Sequence, residues 1–177
     1  MKRKVLFFVL LLLVVSLLGC FNVEESDVVI VINPGVDTIE IGETYTDPGA
    51  TARAKGFRIT SSVVLDTVDE SAIGTYEIVY ETTYRGFTKQ AIRYVRVVDE
   101  TPPELVLNVG LDTIYEGDTW EDGGIQVIDN SDLEPTITIL GNVSCALAGE
   151  YIITYRATDA SGNASEIIRY VNVLKKP

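Results

Sequence analysis

The sequence predicts an all-β protein made of two tandem antiparallel β-sandwiches that follow an N-terminal leader. One motif occurs twice at a constant offset of 75 residues. Short β-branched runs alternate with Gly and Pro turns, and no segment after the leader combines helical periodicity with a cap. Because a fixed internal period defines the folding unit, the chain is expected to fold as two copies of one unit.

The repeated motif reads Asp-Thr-Ile, then Gly, then Thr with an aromatic residue, then Asp and Gly. It occupies residues 37–49 and residues 112–124. Each copy is followed 25 residues later by a Gly-x-Tyr element, which begins at Gly74 in the first copy and at Gly149 in the second. The offset is 75 up to Tyr155 and becomes 76 at Arg169-Tyr170-Val171, so one residue is inserted at a hairpin tip, and the two repeats are expected to share one fold.

The leader at residues 1–19 has the parts of a secretory signal peptide. A basic start precedes the 14 residues Val5 to Leu18, which are fewer than the roughly 20 that span a bilayer. The closing Leu-Leu-Gly-Cys resembles the lipobox of bacterial lipoproteins. That resemblance implies cleavage before Cys20, diacylglycerol on its thiol and a palmitate-type anchor in the cell membrane, on the extracytoplasmic face. A plain signal peptide cleaved elsewhere, or an uncleaved anchor, is the alternative.

Four segments are predicted after the leader. They are a short acidic tether at residues 20–27, a first domain at 28–99, a Pro-rich linker at 100–103 and a second domain at 104–174. The seven residues between Cys20 and the first domain span at most about 25 Å. The first domain is therefore expected to lie close to the membrane.

The first domain is predicted to contain six or seven short strands that end at Gly and Pro turns. The strand-like runs are Val28–Ile32, Thr38–Ile41, Thr51–Ala54, Thr60–Leu65, Thr75–Thr83 and Lys89–Val98. In residues 75–83 the alternation places Tyr76, Ile78 and Tyr80 on one face, as in a half-buried strand. The inward face of the last strand stays ambiguous, because both of its faces carry apolar residues. The second domain repeats this order.

Two longer patterns carry a resemblance to a known family. Gly-x-Thr-Tyr-x-Asp-Pro-Gly-Ala and Gly-Thr-Tyr-x-Ile-x-Tyr resemble the bacterial immunoglobulin-like domains of surface proteins and of some pesticidal crystal proteins. Residues 158–164 are similar to a turn of that family that also occurs in hyaline-repeat domains. The likeness covers nearly all of residues 28–174 and departs from the family at 53–58 and 83–88. It implies Ig-like β-sandwiches in an extracellular setting and no catalytic residue.

Composition argues against several classes of function. The formal charge is −12, which becomes −15 without the three cations of the leader, and an acidic chain repels nucleic acid. There is no histidine, which removes the commonest general base and transition-metal ligand. We therefore predict no enzyme, no cofactor and no nucleic-acid partner. Cys145 is interpreted as a partly buried free thiol, because two cysteines in different settings are not a disulfide framework.

Aromatic residues fall into two groups. Those that occur in both copies are predicted to pack inside the fold, namely Tyr45 with Trp120, Tyr76 with Tyr151, Tyr80 with Tyr155, and Tyr94 with Tyr170. Those present in one copy only are better candidates for contact with a partner. They are Phe57, Tyr84 and Phe87, all in predicted loops of the first domain.

Basic residues cluster around the same loops in an otherwise acidic chain. They are Arg53, Lys55, Arg58, Arg85 and Lys89. In an odd-stranded sandwich these loops are expected at the end that faces the lipid anchor. One hypothesis is that this end rests on anionic lipid head groups. An idle, solvated pair of loops is the alternative.

Acidic residues occupy the equivalent loops of the second domain and the linker. Calcium prefers hard oxygen ligands, so these side chains form a weak calcium candidate. The set comprises Asp99, Glu100, Asp129, Asp132 and Asp159. Their spacing is not that of a known calcium loop, and solvated loops are the alternative.

The resulting prediction is a non-catalytic cell-surface lipoprotein that acts in adhesion, binding or spacing within the cell envelope. Its expected partners are the membrane, through the lipid on Cys20, and an unknown surface protein or glycan. The alternative is a carbohydrate-binding module that uses Phe57, Tyr84 and Phe87 as a stacking platform.

Overall fold

The computed structural model describes residues 22–131 and 133–177. The predicted leader, the lipidation site Cys20 and the calcium candidate Asp132 lie outside the described residues. Within the two described ranges, the only helix is a single 3-10 turn at Glu25–Asp27, and every other regular element is a β-strand. No helix in these ranges is long and apolar enough to cross a membrane. The all-β prediction is confirmed.

The first repeat forms seven strands in two sheets. They are β1 (Val28–Ile32), β2 (Thr38–Glu40), β3 (Ala50–Ala54), β4 (Phe57–Ile59), β5 (Ser62–Asp66), β6 (Gly74–Tyr84) and β7 (Phe87–Val98). One sheet has the order β1-β3-β4 and the other the order β2-β7-β6-β5. Strand β1 pairs antiparallel with β3, so that Val28 lies opposite Ala54 and Ile32 opposite Ala50.

The described part of the second repeat forms six strands in a corresponding arrangement without a counterpart of β4. They are β8 (Glu104–Leu107), β9 (Thr113–Tyr115), β10 (Ile125–Ile128), β11 (Thr136–Leu140), β12 (Gly149–Thr158) and β13 (Ala164–Leu174). The sheets have the orders β10-β8 and β11-β12-β13-β9; β13 pairs with β9 in parallel, and β10–β8, β11–β12 and β12–β13 pair antiparallel.

The chain separates into two compact units whose limits do not follow the repeats. The first unit takes the residues up to 38 together with 45–69 and 75–96, and the second takes 39–44, 70–74 and 97–177. The predicted domain limits at 28–99 and 104–174 follow the repeats instead, and they stay a prediction.

Two tight hairpin turns lie in the stretches where the first repeat departs from the family pattern. Lys55 and Gly56 join β3 to β4, and Arg85 and Gly86 join β6 to β7. All four residues have positive φ, at 49° and 82° in the first turn and 49° and 88° in the second. Two-residue loops of this backbone type match the twist of the strands they connect. Residues 55–59, which lie between the strand-like runs predicted at Thr51–Ala54 and Thr60–Leu65, therefore belong to a hairpin.

The interior of the first unit is apolar on both facing sheets. Ile78, Tyr80 and Val95 form its buried centre. Ile30, Ile32 and Ala50, which are partly buried against them, belong to the other sheet, β1-β3-β4. In the second unit the equivalent Ile153, Tyr155 and Val171 are buried. The Tyr76-Ile78-Tyr80 face is thus the inner face of β6, as predicted.

The ambiguous face of β7 is settled by an arginine. Arg93, Val95 and Val97 point inward and are buried, whereas Tyr94 is 54% exposed. Its counterpart in the second repeat, Tyr170, is 53% exposed. The prediction that this aromatic pair packs inside the fold is wrong, because a buried guanidinium takes the inner face of the strand.

Candidate functional site

A buried guanidinium holds the motif of the first repeat together. The Arg93 side chain is only 1% exposed and forms an ion pair with Asp37. Its Nη2 donates to the carbonyl oxygens of Asn33, at 2.5 Å, and Gly49, at 3.3 Å. Its Nε donates to the Tyr80 hydroxyl at 3.1 Å. The fork geometry of arginine suits this set of acceptors on different segments. We call Arg93 with its partners the arginine clamp.

Two further side chains complete the clamp. The Tyr80 hydroxyl donates to the Asp47 carboxylate, which also lies 3.5 Å from the Arg93 Nε. The Tyr45 hydroxyl donates to Asp37 at 3.3 Å. The Asp, Tyr and Gly positions of the repeated motif are therefore used to satisfy one buried charge, as a buried charge requires.

The second repeat contains a corresponding clamp around Arg169, which is also 1% exposed, but its Nε has no hydrogen-bond acceptor among the described residues and Trp120 takes the place of Tyr45. Its Nη1 lies 2.8 Å from one carboxylate oxygen of Asp112 and 3.1 Å from the other. Its Nη2 donates to the carbonyls of Asn108 and Gly124 at 2.7 and 3.0 Å. Tyr155 donates to Asp122, which lies 3.5 Å from the Arg169 Nε. The clamp is thus part of the fold and no partner site.

The clamp shifts the ionisation of its members. Burial, together with the bond to Asp47, raises the pKa of Tyr80 to about 12. Burial and Asp122 raise the pKa of Tyr155 in the same way. Burial acts to lower the pKa of Arg93, but the hydrogen bonds with Tyr80 and Asp37 raise it above its usual value. Both arginines therefore stay charged.

The predicted binding residues come together at the two hairpin turns of the first repeat. They surround a cavity of about 370 Å³, whose walls include Lys55, Phe57, Arg58, Tyr84 and Arg85. Phe57 is 78% exposed. We call these five residues the basic tip. Two predicted members do not line this cavity: Arg53, which donates to the Gly56 carbonyl at 2.9 Å, and Phe87, the half-buried first residue of β7.

Within the basic tip, a cation lies over an aromatic ring. The guanidinium carbon of Arg85 is 5.8 Å from the centroid of the Tyr84 ring. Contacts of this kind stabilise a cation beside the ring face. One face of Tyr84 is thus already occupied, so that Phe57 is the main exposed ring of the tip.

The acidic tether packs against the basic tip. The Lys55 ammonium lies 3.7 Å from the Asp27 carboxylate, and the Lys55 amide donates to the Asp27 carbonyl at 3.1 Å. Lys89 donates to Glu25 at 2.5 Å, and this hydrogen bond and charge lower the pKa of Glu25. Val23 of the tether lines the tip cavity. The tether is therefore folded onto the first repeat.

Three of the calcium candidates accept hydrogen bonds within the second unit. Asp99 accepts from the Ser161 hydroxyl at 3.0 Å, and Asp159 accepts from the Asn163 amide at 2.8 Å. The Asp129 carboxylate accepts a hydrogen bond from the backbone amide of Ser131 in the same turn. The backbone amide of Glu100 donates to the Glu40 carboxylate. Among the residues that the structure describes, no three metal-capable side chains converge. Calcium binding stays a prediction.

The family can be assigned from a match to both repeats. A model of the family described as bacterial surface protein, Ig-like domain, matches residues 36–97 and 112–173. Together these ranges cover more than half of the chain. The chain belongs to this bacterial surface Ig-like family. A search of curated proteins finds no match.

Solved structures similar to this bacterial surface Ig-like chain are distant ones. Human mucin-like protocadherin EC1-2 is 13% identical with a TM-score of 0.34, over 84% of this chain and 99% of that one. A lipoprotein of Bacteroides thetaiotaomicron is 16% identical with a TM-score of 0.35, over 80% and 98%. The protocadherin gamma B4 extracellular domain is 16% identical with a TM-score of 0.40, over 83% and 26%.

Membership of the bacterial surface Ig-like family confirms the predicted tandem Ig-like fold and indicates a surface module. Sequence reasoning missed two features of it. The Arg-Tyr-Val element at residues 93–95 and 169–171 contains the clamp arginine, but a charged side chain is not expected in the core from its sequence. The acidic residues of the tether and the basic residues of the tip can be read from the sequence. Their ion pairs could not be predicted from it, because they depend on the fold. Cys145 is a half-buried free thiol, as predicted.

Proposed function

We propose that this protein is a lipid-anchored, non-catalytic module of the bacterial surface that presents two Ig-like domains for adhesion, binding or spacing. The observation that carries the proposal is the double use of the arginine clamp. Each repeat commits its shared motif residues to holding loops and strands together. The shared polar residues therefore have a structural role in both copies. Contact with a partner is left to other residues on the exposed surface.

The attachment at Cys20 is supported by the sequence around it. The apolar stretch and the Leu-Leu-Gly-Cys ending precede a tether of few residues. Several acyl chains contribute about 0.8 kcal/mol for each buried CH₂ group, which suffices for stable anchoring. The extracytoplasmic face of the cell membrane is the proposed location.

The absence of catalysis is supported by residue chemistry. A Ser or Thr nucleophile needs a neighbouring base, and the chain has no histidine to provide one. The described carboxylates of the shared motif are occupied by arginine and tyrosine, which are structural partners. The exposed residues of the basic tip are cations and aromatic rings, which suit binding.

The anchor is tested by metabolic labelling of producing cells with an alkyne analogue of palmitate. Wild-type protein should carry the label, fractionate with membranes and begin at residue 20 by mass spectrometry. Replacing Cys20 with Ser should remove the label because the acceptor thiol is gone. Replacing Cys145 with Ser is the matched control and should keep it. Unlabelled wild-type protein, or a mature chain that begins at another residue, would contradict the proposal.

Carbohydrate binding is a second candidate, favoured by the exposure of Phe57 beside Tyr84 in one cavity. An aromatic ring with a free face can stack on a sugar, but Arg85 already covers one face of Tyr84. A glycan array separates the two functions. A carbohydrate-binding module should bind a particular sugar on the array, and Phe57→Ala should abolish that binding. A spacer should bind none of the sugars selectively.

A further inference from the structure

The folded tether fixes where the chain reaches the first repeat. Backbone and side-chain contacts between Asp27 and Lys55, and the 2.5 Å contact between Glu25 and Lys89, hold it against the basic tip. Within the tether, the Glu24 amide donates to Asp27 at 2.8 Å and closes the 3-10 turn. The chain that leads back to Cys20 therefore leaves from the basic tip itself.

The length of this lead is short. Val23 lines the tip cavity, and only three residue steps separate it from Cys20. Three extended residues reach at most about 11 Å. The interfacial layer on each side of a bilayer is roughly 5 to 8 Å thick. A chain attached at Cys20 therefore keeps the basic tip at the level of the lipid head groups.

The charge of this end of the first repeat suits such a surface. Two of its five cations, Lys55 and Lys89, are paired with the tether. The same end also carries the arginines at positions 53, 58 and 85, in a chain whose net charge is −12. Cations near an anionic leaflet are attracted to it, whereas the rest of this chain is repelled.

The exposed ring supplies the apolar part. Phe57 begins β4 next to the turn at Lys55–Gly56 and is 78% exposed. Amphipathic and aromatic side chains at membrane surfaces bury their rings at the head-group level. A large ring flanked by Arg58 and facing the cavity shared with Arg85 combines both requirements.

From these observations we infer that the basic tip is a lipid-binding footing, in which Phe57 inserts between head groups while Arg58 and Arg85 contact anionic lipid phosphates. The inference rests on the proposed attachment of the chain near residue 20 and adds a second, recognised contact with the bilayer. The footing sets the orientation of the first repeat on the membrane.

A single-tryptophan variant of the full-length chain tests the footing. Phe57→Trp introduces the reporter, and Trp120→Tyr removes the native tryptophan. Tyr45 occupies the equivalent place in the first repeat and donates to Asp37, so the second change copies a residue that the fold already accepts. The protein is reconstituted in vesicles of phosphatidylcholine brominated near the glycerol end, with or without phosphatidylglycerol.

Fluorescence of the reporter at position 57 should be quenched by the bromines, and more strongly when phosphatidylglycerol is present. Replacing either Arg58 or Arg85 with Ser should lower the equilibrium ratio of membrane-bound to unbound basic tips roughly fivefold. Each cation near an anionic surface contributes a binding free energy that corresponds to about this factor. Replacing Arg156 with Ser is the charge-matched control and should leave quenching unchanged.

Two outcomes would overturn the inference. One is a vesicle-bound chain whose reporter tryptophan is not quenched. The other is quenching that is equal without phosphatidylglycerol and that survives both arginine substitutions, since apolar insertion alone would then explain it. Mass spectrometry of the N-terminal peptide reports acylation separately. A chain held by an uncleaved leader still presents the tether at the bilayer. The quenching experiment therefore tests the footing even if Cys20 is not acylated.

Discussion

At the scale of single residues, Arg93 and Arg169 determine how each repeat satisfies its polar interior. Each guanidinium bonds a carboxylate and two backbone carbonyls from separate segments. Lysine has one compact ammonium group, so it cannot reproduce this planar set of donors. The arginine therefore determines which loops the repeat can close.

Replacing Arg93 with Met should destabilise the protein by about 3 kcal/mol, because it leaves the carboxylates and carbonyls of the clamp without their donor. This value is at the lower end of the destabilisation usually caused by removing one partner of a buried ion pair, since the Asp37 side chain is 44% exposed and partly solvated. The midpoint of urea denaturation measures the effect. Arg96, exposed on the same strand, gives the matched control: Arg96→Met should leave the midpoint almost unchanged. Equal shifts for both variants would contradict the role of the clamp.

Tyr80 should make stability fall at alkaline pH. Its pKa is raised to about 12 in the folded protein, against about 10 when unfolded. The unfolded chain therefore loses this proton first, so the stability is complete below pH 10 and decreases as pH rises to 12. The decrease should be roughly 2 to 3 kcal/mol.

The measurement is the free energy of unfolding at a series of pH values between about 9 and 12. Replacing Tyr80 with Phe should flatten part of the decrease, and Tyr155 should account for a further part because its pKa is raised as well. Replacing the exposed Tyr94 with Phe should leave the slope as it is. A slope that persists in Tyr80→Phe and is lost in Tyr94→Phe would exclude this explanation.

At the scale of elements, the β6–β7 hairpin depends on the backbone of its turn. Gly86 has φ at 88°, and a Cβ placed there would meet no atom within 4 Å. Replacing it with Ala should therefore cost about 1 kcal/mol through the backbone alone. Thermal unfolding measures this. Gly149→Ala is the control, because a Cβ at Gly149 makes only ordinary contacts with Tyr151 and should cost less. A neutral Gly86→Ala would mean that the turn relaxes.

The elements also show how far sequence reasoning reaches. Strand β1 has the predicted limits Val28–Ile32, since a β-branched run before a turn is a strong strand signal. Strand β4 was missed because the charges in residues 53–58 hide a short pairing strand, and the Lys55–Gly56 turn is not a typical hairpin dipeptide. The inner face of β7 stays ambiguous in the sequence because both faces carry apolar residues, and the buried Arg93 gives its own face no apolar signal.

The candidate site was predicted in its composition and only partly in its arrangement. The one-copy aromatics and the basic loops were located from the repeat alignment, and Phe57 with Tyr84 lies in one cavity. Phe87 is predicted to join them because it occurs in one copy only and in a predicted loop, but as the first residue of β7 it does not line that cavity. The pairing of Glu25 with Lys89 joins residues 64 positions apart, so no local pattern contains it.

At the scale of the whole molecule, the two repeats share a scaffold and differ at their turns. The first has two short, basic hairpin turns, whereas the equivalent loops of the second are acidic. The family match covers both repeats and places the chain among bacterial surface proteins. The proposed lipid attachment, lipid-binding footing and calcium binding each involve residues outside the scaffold that the two repeats share.

None of the residues of the arginine clamp belongs to a hairpin turn. The turns can therefore be exchanged for others of different length and charge without disturbing the set of bonds on which the interior depends. Gene duplication followed by drift at these turns would yield new surface specificities at little risk to folding. The same property makes the scaffold a practical host for grafted peptides displayed on bacterial cells.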